Sequence, residues 1–298
     1  MKKMLFIMNP YSGKRRANKY LAEILEIFNR ADYQVTVHMT AGPGDATGVV
    51  QQLAGDADIV VCCGGDGTFN ETVAGVLKAN RDIPVGYIPA GSTNDFAASL
   101  HLPTEPLEAA REIVEGVPIA YDAGSFCGRF FSYVASFGAF TRTSYTTPQS
   151  IKNALGHTAY VLSGISELSQ LHPEHIKLEI NGETVEDDFL FGAICNSTSV
   201  GGILTLDPKQ VDMADGKLEV LLVRSPKNLL ELTECIAAVQ SQQYNKCEMI
   251  TFRSGSQIEI TASPDMPWTL DGEREDGHAH ITVTNNHLAY RLVQKPRD

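Results

Sequence analysis

Ile59-Val60-Val61-Cys62-Cys63-Gly64-Gly65-Asp66-Gly67-Thr68 runs from a continuous apolar stretch straight into a glycine-rich turn carrying one carboxylate. An unbroken apolar run bounded by glycine is the pattern of a buried strand. Without a β-carbon, the glycines let the backbone take positive φ and bring N–H groups close to an anion, while the apolar run behind keeps the turn rigid. The following residues, Thr68-Phe69-Asn70-Glu71-Thr72-Val73-Ala74, have helical character, and a helix start adds its electropositive end at the same place. The stretch predicts a phosphate site at a strand end, and hence nucleotide chemistry. Gly-Asp-Gly alone leaves an ordinary strand-to-helix turn open.

The flanking sequence extends the pattern. Leu5 to Met8 reads as a first strand, Asn9 to Lys14 as a turn, and Ala17 to Asn29 as a helix with Leu21, Ile24, Leu25 and Phe28 at helical spacing. Tyr33 to Met39 alternates as a strand, Asp45 to Leu53 reads as a helix, Asp58 to Cys63 as a strand and Asn70 to Lys78 as a helix. Val85 to Ile88 is a strand feeding a second polar turn, Pro89-Ala90-Gly91-Ser92-Thr93-Asn94-Asp95, with a helix from Phe96. Short strands alternating with amphipathic helices predict a layered α/β domain with a mostly parallel sheet. Its three polar turns fall at the carboxyl ends of strands, where such folds bind ligands.

Beyond Tyr121 the texture turns β-rich: Phe130 to Phe137, Ile176 to Ile180 with its Asn181-Gly182 turn, Phe189 to Cys195, Lys217 to Val223, Ser256 to Thr261 and His280 to Thr284 read as strands. Helices are expected over Ile151 to Ser169 and Leu229 to Val239. The expected division is 1–121 for the α/β domain and 122–287 for a mainly β domain, with the strand-like Leu288 to Val293 in a tail, 288–298, that can return to either.

The chain of 298 residues, 43% hydrophobic, has room for two ordinary cores. No stretch approaches the roughly 20 apolar residues of a membrane span, and Met1 to Pro10 has too short an apolar core for a signal peptide. Six scattered cysteines without a Cys-x-x-Cys pair fit reduced thiols and a cytoplasmic setting. A net charge of −12 argues against nucleic-acid binding, which needs a broad basic surface. Lys14, Arg15, Arg16 and Lys19 form the local exception.

Phosphoryl transfer asks for a phosphate cradle, a way to hold Mg²⁺ and a carboxylate near the attacking hydroxyl. Gly64, Gly65 and Gly67 are the candidate cradle, Thr68 supplies a hydroxyl, Asn70 and Glu71 can fix the turn, and Ser12, Gly13 and Lys14 can add donors. A solvated surface turn is the plain alternative for Lys14. Asp-Gly dipeptides recur, among them Asp66-Gly67, Asp215-Gly216 and Asp271-Gly272, and any one alone is more often a turn than a catalytic group. Asp271-Gly272-Glu273 follows Pro267-Trp268-Thr269-Leu270, which holds the only tryptophan, and sets two carboxylates around a glycine. Facing a cleft, mutual repulsion and partial burial would raise one of them into the range of a proton acceptor. The competing reading is a charged hairpin end. His278 and His280 would share one side of a strand, but no third ligand has zinc-like spacing. No Gly-x-Ser-x-Gly elbow supports serine hydrolysis.

Together, Asn9-Pro10 with Ser12-Gly13-Lys14, Gly64-Gly65-Asp66-Gly67-Thr68 with Asn70-Glu71, Gly91-Ser92-Thr93-Asn94-Asp95-Phe96-Ala97, Asp215-Gly216-Lys217-Leu218 and Leu270-Asp271-Gly272-Glu273 resemble the bacterial diacylglycerol kinase-like lipid kinases, relatives of sphingosine and ceramide kinases. The resemblance spans nearly the whole chain. It implies an N-terminal nucleotide-binding domain of the NAD-kinase and diacylglycerol-kinase type, a C-terminal β-sandwich domain, an active site in the cleft between them, and ATP with Mg²⁺ as donor. It puts Asn9, Thr40, the Gly64 to Asn70 turn including Phe69, Thr93 and Asn94 on the nucleotide, and makes Asp66 essential for positioning phosphate and Mg²⁺. Glu273 becomes the proton acceptor for the lipid hydroxyl with Asp271 beside it, and Asp95 and Asp122 join a carboxylate network around the catalytic Mg²⁺. A second, structural Mg²⁺ maps to Asp215 with carbonyls from Asp212 and Lys217. The resemblance also implies transient membrane contact and a homodimer. Ser92 replaces the family's usual threonine and keeps its hydroxyl, while Gly201 to Pro208 is less glycine-rich than the family pattern. An NAD kinase shares the first glycine turn, but the Gly91 to Ala97 turn and Asp271-Gly272-Glu273 count against it. A catalytically inactive nucleotide-binding regulator would have lost a motif carboxylate, and Asp66, Asp95, Asp215, Asp271 and Glu273 are all present.

Overall fold

The computed structural model describes residues 1–13, 17–138, 173–200 and 204–296. The expected helix over Ile151 to Ser169, Lys14 with its basic neighbours Arg15 and Arg16, and part of the Gly201 to Pro208 segment lie outside the described residues. The chain forms two compact units, Met1–Ala123 with Asn286–Asp298, and Gly124–Asn285.

In the first unit, β1 (Lys2–Met8), β2 (Tyr33–Met39), β3 (Ile59–Gly64) and β4 (Val85–Pro89) alternate with α1 (Leu21–Arg30), α2 (Asp45–Leu53), α3 (Asp66–Ala79), α4 (Asp95–Ser99) and α5 (Pro106–Glu115). The strands lie parallel in the order β4-β3-β1-β2, with Met4 opposite Ile59 and Val60 opposite Val85. Met4, Phe6 and Met8 pack with Ile24 and Phe28 of α1 and with Ala109, Ala110 and Ile113 of α5. Leu5 and Ile7 face the other way and are just as buried, because α2 and α3 pack on one another and reach β1 and β3. Cover on both faces is why these strands read as continuous apolar runs.

Three local outcomes differ from the sequence expectation. The helix expected from Asn70 starts at Asp66, since Gly65 is the extended residue before it, so Gly67 belongs to the first helical turn. α5 is not anticipated: its inward face relies on Ala109 and Ala110, which mark an apolar stripe weakly, although Pro106 in the first turn is a helix-start signal. The helix expected from Ala17 opens as a 3₁₀ turn, Ala17–Tyr20.

The second unit is mainly β. β5 (Val117–Phe126) carries the chain into it, followed by β6 (Arg129–Phe131), β7 (Val134–Gly138), β8 (Glu174–Ile180), β9 (Glu183–Cys195), a short β10–β11 ladder (Ser199–Val200 and Leu204–Thr205), β12 (Leu218–Arg224), α6 (Leu229–Gln240), β13 (Ile250–Gly255), β14 (Gln257–Thr261), β15 (Trp268–Leu270) and β16 (Glu273–Glu275). The first half of β9 pairs with β8, and its second half pairs with both β7 and β12, so one long strand serves two parts of the sheet. Phe126, Phe137, Phe189, Ile194, Val220, Ile258 and Trp268 share one core, with the tryptophan ring 4.9 Å from both Phe126 and Phe137.

β17 (His280–Gln294) returns the chain to the first unit, where its last part lies parallel to β4 with Leu292 opposite Val85. It is one strand where the sequence suggests two, because Asn285-Asn286-His287 breaks the apolar pattern without breaking the backbone. Those polar side chains are used locally: Asn285 Nδ2 donates to the Lys217 carbonyl and Asn286 Nδ2 to the Ala123 carbonyl. His278 precedes the strand, so it does not share a strand face with His280.

Candidate functional site

Three turns meet in the first unit. Gly65 N–H donates to Ser12 Oγ (3.3 Å), and Asn9 Nδ2 donates to Thr68 Oγ1 (3.1 Å), tying the turn after β1 to the start of α3. Gly13 has φ +51°, and a Cβ there would sit 2.6 Å from the Ala90 carbonyl oxygen of the turn after β4. A Cβ on Gly91 would sit 2.6 Å from the Gly65 Cα. The turns after β3 and β4 therefore touch backbone to backbone, an approach only glycine permits.

Asp66 fastens this contact. Its two carboxylate oxygens accept the N–H groups of Asp95 (3.1 Å) and Phe96 (3.2 Å), the first residues of α4. Burial pushes Asp66 up to about 6; the Phe96 N–H acts against this and the nearby Asp95 carboxylate adds to it. Asn94, at φ +55°, closes its own turn by accepting from Gly91 N–H and donating to Gly91 O. The Asp95 carboxylate thus lies close enough to raise Asp66, and a divalent cation beside Asp66 would offset that effect. The donor chemistry suits Mg²⁺, which takes oxygen ligands.

A pocket of about 190 Å³ opens beside the turns, lined by Asn9, Thr40, Thr68 and Glu71 together with Tyr11 and Ala41-Gly42-Pro43. The sequence reading named Asn9, Thr40 and Thr68 for the nucleotide and Glu71 as a brace of the glycine turn, and missed the Ala41-Gly42-Pro43 wall, for which Gly42-Pro43-Gly44 was the available turn signal. Thr40 is placed by its N–H donating to Met8 O (2.8 Å). Glu71 does not fix the glycine turn: it accepts from Gly44 N–H (2.7 Å) and Ala46 N–H (3.2 Å) and so caps α2. Asp45 accepts Ala41 N–H (2.7 Å) with His38 3.1 Å away, and these partners hold its carboxyl below the usual range. The Phe69 ring lies in the core, stacked 4.5 Å from Phe96 and tilted at 4.4 Å from Tyr87. Thr93 is exposed and Asn70 buried.

In the second unit Asp271 and Gly272 take φ of +50° and +83°, the two-residue hairpin turn joining β15 to β16. Asp271 is 4% exposed, and its carboxylate accepts the N–H groups of Ser132 (2.6 Å), Tyr133 (3.0 Å) and Val134 (2.9 Å). It holds the β6–β7 connection against the hairpin. Glu273 lies beyond the turn, with Arg129 Nη2 donating to its Oε2 at 2.7 Å. The sequence reading missed Arg129, which lies 144 residues from Glu273.

The proposed structural-cation residues form a compact turn. Asp215 Oδ1 accepts Lys217 N–H (2.9 Å), Asp212 Oδ1 accepts Ala214 N–H (3.0 Å), and the Lys217 carbonyl accepts Asn285 Nδ2 (2.9 Å). Nearby Glu219 is 1% exposed; Ser254 Oγ donates to its Oε1, while Oε2 has no hydrogen-bond partner. Among the described residues no three His, Cys, Asp or Glu side chains are grouped as a metal site. A cation here would rest on Asp215 and backbone carbonyls, the arrangement in which the sequence cast it. Asp122, by contrast, belongs to the first unit, fully buried, with His287 Nδ1 at 3.0 Å and Leu288 N–H donating at 2.7 Å.

Comparison with known proteins matches residues 3–126 to the diacylglycerol kinase catalytic domain and residues 134–289 to the YegS C-terminal NAD kinase beta sandwich-like domain. Diacylglycerol kinase of Bacillus subtilis (strain 168) is 32% identical over 92% of this chain and 90% of its own length. Diacylglycerol kinase of Staphylococcus carnosus (strain TM300) is 30% identical over 91% of this chain and 89% of its own. A crystal structure of a diacylglycerol kinase from Bacillus anthracis str. Sterne superposes with a TM-score of 0.75 at 21% identity, covering 99% of this chain and 97% of that one. A second crystal structure from the same organism reaches 0.81 at 24% identity, covering 99% and 96%. At these identities the structural likeness is one of fold.

Proposed function

Because this chain belongs to the diacylglycerol kinase catalytic-domain family, we propose that it transfers the γ-phosphoryl group of ATP to the hydroxyl of diacylglycerol or a related lipid alcohol. The observation that carries the reading is the meeting of three strand-end turns at Gly13, Gly65 and Gly91, fastened by Asp66 to the start of α4 beside the Asn9–Thr40–Thr68 pocket. Glycine backbone and a helix start are suited to polyphosphate, and the pocket beside them to the rest of a nucleotide.

In this reading Ser12, Gly65 and Thr68 bind and orient the phosphates, and Asp66 and Asp95 are the residues that would hold Mg²⁺. When bound, Mg²⁺ would supply charge neutralisation for the phosphoryl group being transferred. Glu273 accepts the proton of the attacking hydroxyl, and Asp271 keeps the hairpin that carries Glu273 in place through its three N–H partners. No helix among the described residues is long and apolar enough to cross a membrane, so the lipid would be met by transient surface contact.

Transfer of labelled γ-phosphate in mixed micelles, from ATP and Mg²⁺ to diacylglycerol, monoacylglycerol, ceramide, sphingosine and NAD, tests the assignment. Labelled lipid supports it; labelled NADP overturns the acceptor class. Glu273→Gln keeps volume and removes the basic oxygen, and turnover should fall by about 10²-fold or more. Unchanged turnover removes Glu273 as the proton acceptor.

A further inference from the structure

Glu273 and Glu275 are two apart on β16 and therefore share a face, with Arg274 directed the other way. Across from them stands Arg129, the first residue of β6, placed there by the tight Cys127-Gly128 turn with φ of +47° and +87°. Its fork is divided: Nη2 donates to Glu273 Oε2 at 2.7 Å, while Nη1 makes a short bond to Glu275 Oε2 and also reaches the Arg274 carbonyl at 3.4 Å. One rigid planar cation thus spans two carboxylates and a backbone oxygen, so its plane is set by Glu275 and Arg274 before Glu273 is engaged.

Stability does not account for the arrangement. The Arg129 and Glu273 side chains are 40% and 38% exposed, and a pair that open to water contributes little to folding. What the fork supplies is geometry: it holds Oε2 of Glu273 and so directs the carboxylate.

We propose that Arg129, anchored by Glu275, is the positioning residue for the proton acceptor of this enzyme. The inference rests on the assignment of Glu273 above. Arg129 fixes the direction of the Glu273 carboxylate, and Glu275 fixes Arg129. A reacting hydroxyl then meets an oriented acceptor, which matters because small angular errors in a positioned group are costly to the transfer step.

The test compares Arg129→Met, Arg129→Lys, Glu275→Gln, Glu273→Gln and the double variant Arg129→Met/Glu273→Gln, each checked for an intact circular dichroism spectrum. Arg129→Met should lower kcat by about tenfold or more while leaving KM for ATP and lipid within about twofold. Arg129→Lys keeps the charge without the fork and should recover only part of the loss, and Glu275→Gln should give a smaller fall of the same kind. If Arg129 acts through Glu273, the double variant is no slower than Glu273→Gln alone; multiplied losses would overturn the inference. Full kcat in Arg129→Met, with Glu273→Gln impaired, would also overturn it. Full turnover in Glu273→Gln would instead overturn the proton-acceptor assignment. Independently of activity, the ¹³Cδ resonance of Glu273, identified by its loss in Glu273→Gln, should move to the exposed-glutamate position in Arg129→Met, and an unmoved resonance would show that Arg129 does not hold the group.

Discussion

Asp271 and Glu219 show how a buried carboxyl group is put to opposite uses in the second unit. Asp271 is buried with three N–H donors on its carboxylate, so its charge is compensated where it lies. Replacing one acceptor oxygen by an amide in Asp271→Asn should cost about 2–4 kcal/mol in urea unfolding, since at least one backbone N–H is left facing a donor. A fall in activity without that loss of stability would make Asp271 a direct participant instead. Glu219 is buried with one oxygen lacking a hydrogen-bond partner; burial pushes it up to about 8, Ser254 opposes this and Asp215 adds to it. The folded state holds this proton more tightly than the unfolded chain, so the stability it brings is full below the ordinary glutamate range and is lost as pH rises through about 8. With chelator present, the wild type should therefore lose about 2–3 kcal/mol between pH 6 and pH 9 relative to Glu219→Gln. Parallel profiles for the two proteins would show that Glu219 is not the group responsible.

At the scale of elements, the glycine turns are joints between strand ends. The turns after β3 and β4 approach so closely that a single methyl group at Gly91 meets the Gly65 backbone at 2.6 Å. Neither side is a flexible side chain that can swing away, so Gly91→Ala must part the two turns and loosen the Asp66 bonds to α4. We expect a stability loss of about 1–3 kcal/mol and a rise in KM for ATP, read by chemical unfolding and steady-state kinetics on the same preparation. Unchanged KM would separate this contact from nucleotide binding. The same element-level logic explains Glu71: its place in the sequence, one turn into α3, suggested service to the glycine turn, while its side chain reaches the start of α2, 27 residues earlier.

At the scale of the molecule, the first unit is assembled from both ends of the chain. Tyr290, Leu292 and Val293 of β17 are buried there, and Leu292 lies opposite Val85. A chain ending at residue 287 loses these side chains from a core that residues 1–123 cannot complete, at a cost of several kcal/mol by area. ATP binding should be lost; retention would show that the end of β17 is dispensable to this unit. The sequence by itself determined the fold class, because apolar runs followed by glycine turns, and later alternating strands, are written locally in Ile59–Gly64, Val85–Pro89 and Lys217–Val223. It also supplied Ser12, Gly65 and Asp66 as candidates, since glycine and hydroxyl turns at strand ends carry a local signature, while Asn9 and Thr40 came from the family resemblance. It left α5 unread because alanines mark a buried stripe weakly, and it could not say that the Phe69 ring faces the core, because a motif does not say which way each side chain points. Only the tertiary structure decided that Asp271 clamps Ser132, Tyr133 and Val134, that Glu71 caps α2 and that Arg129 meets Glu273. Those partners are far apart in the chain, and hydrogen bonds across such separations exist only once packing has brought the strands together.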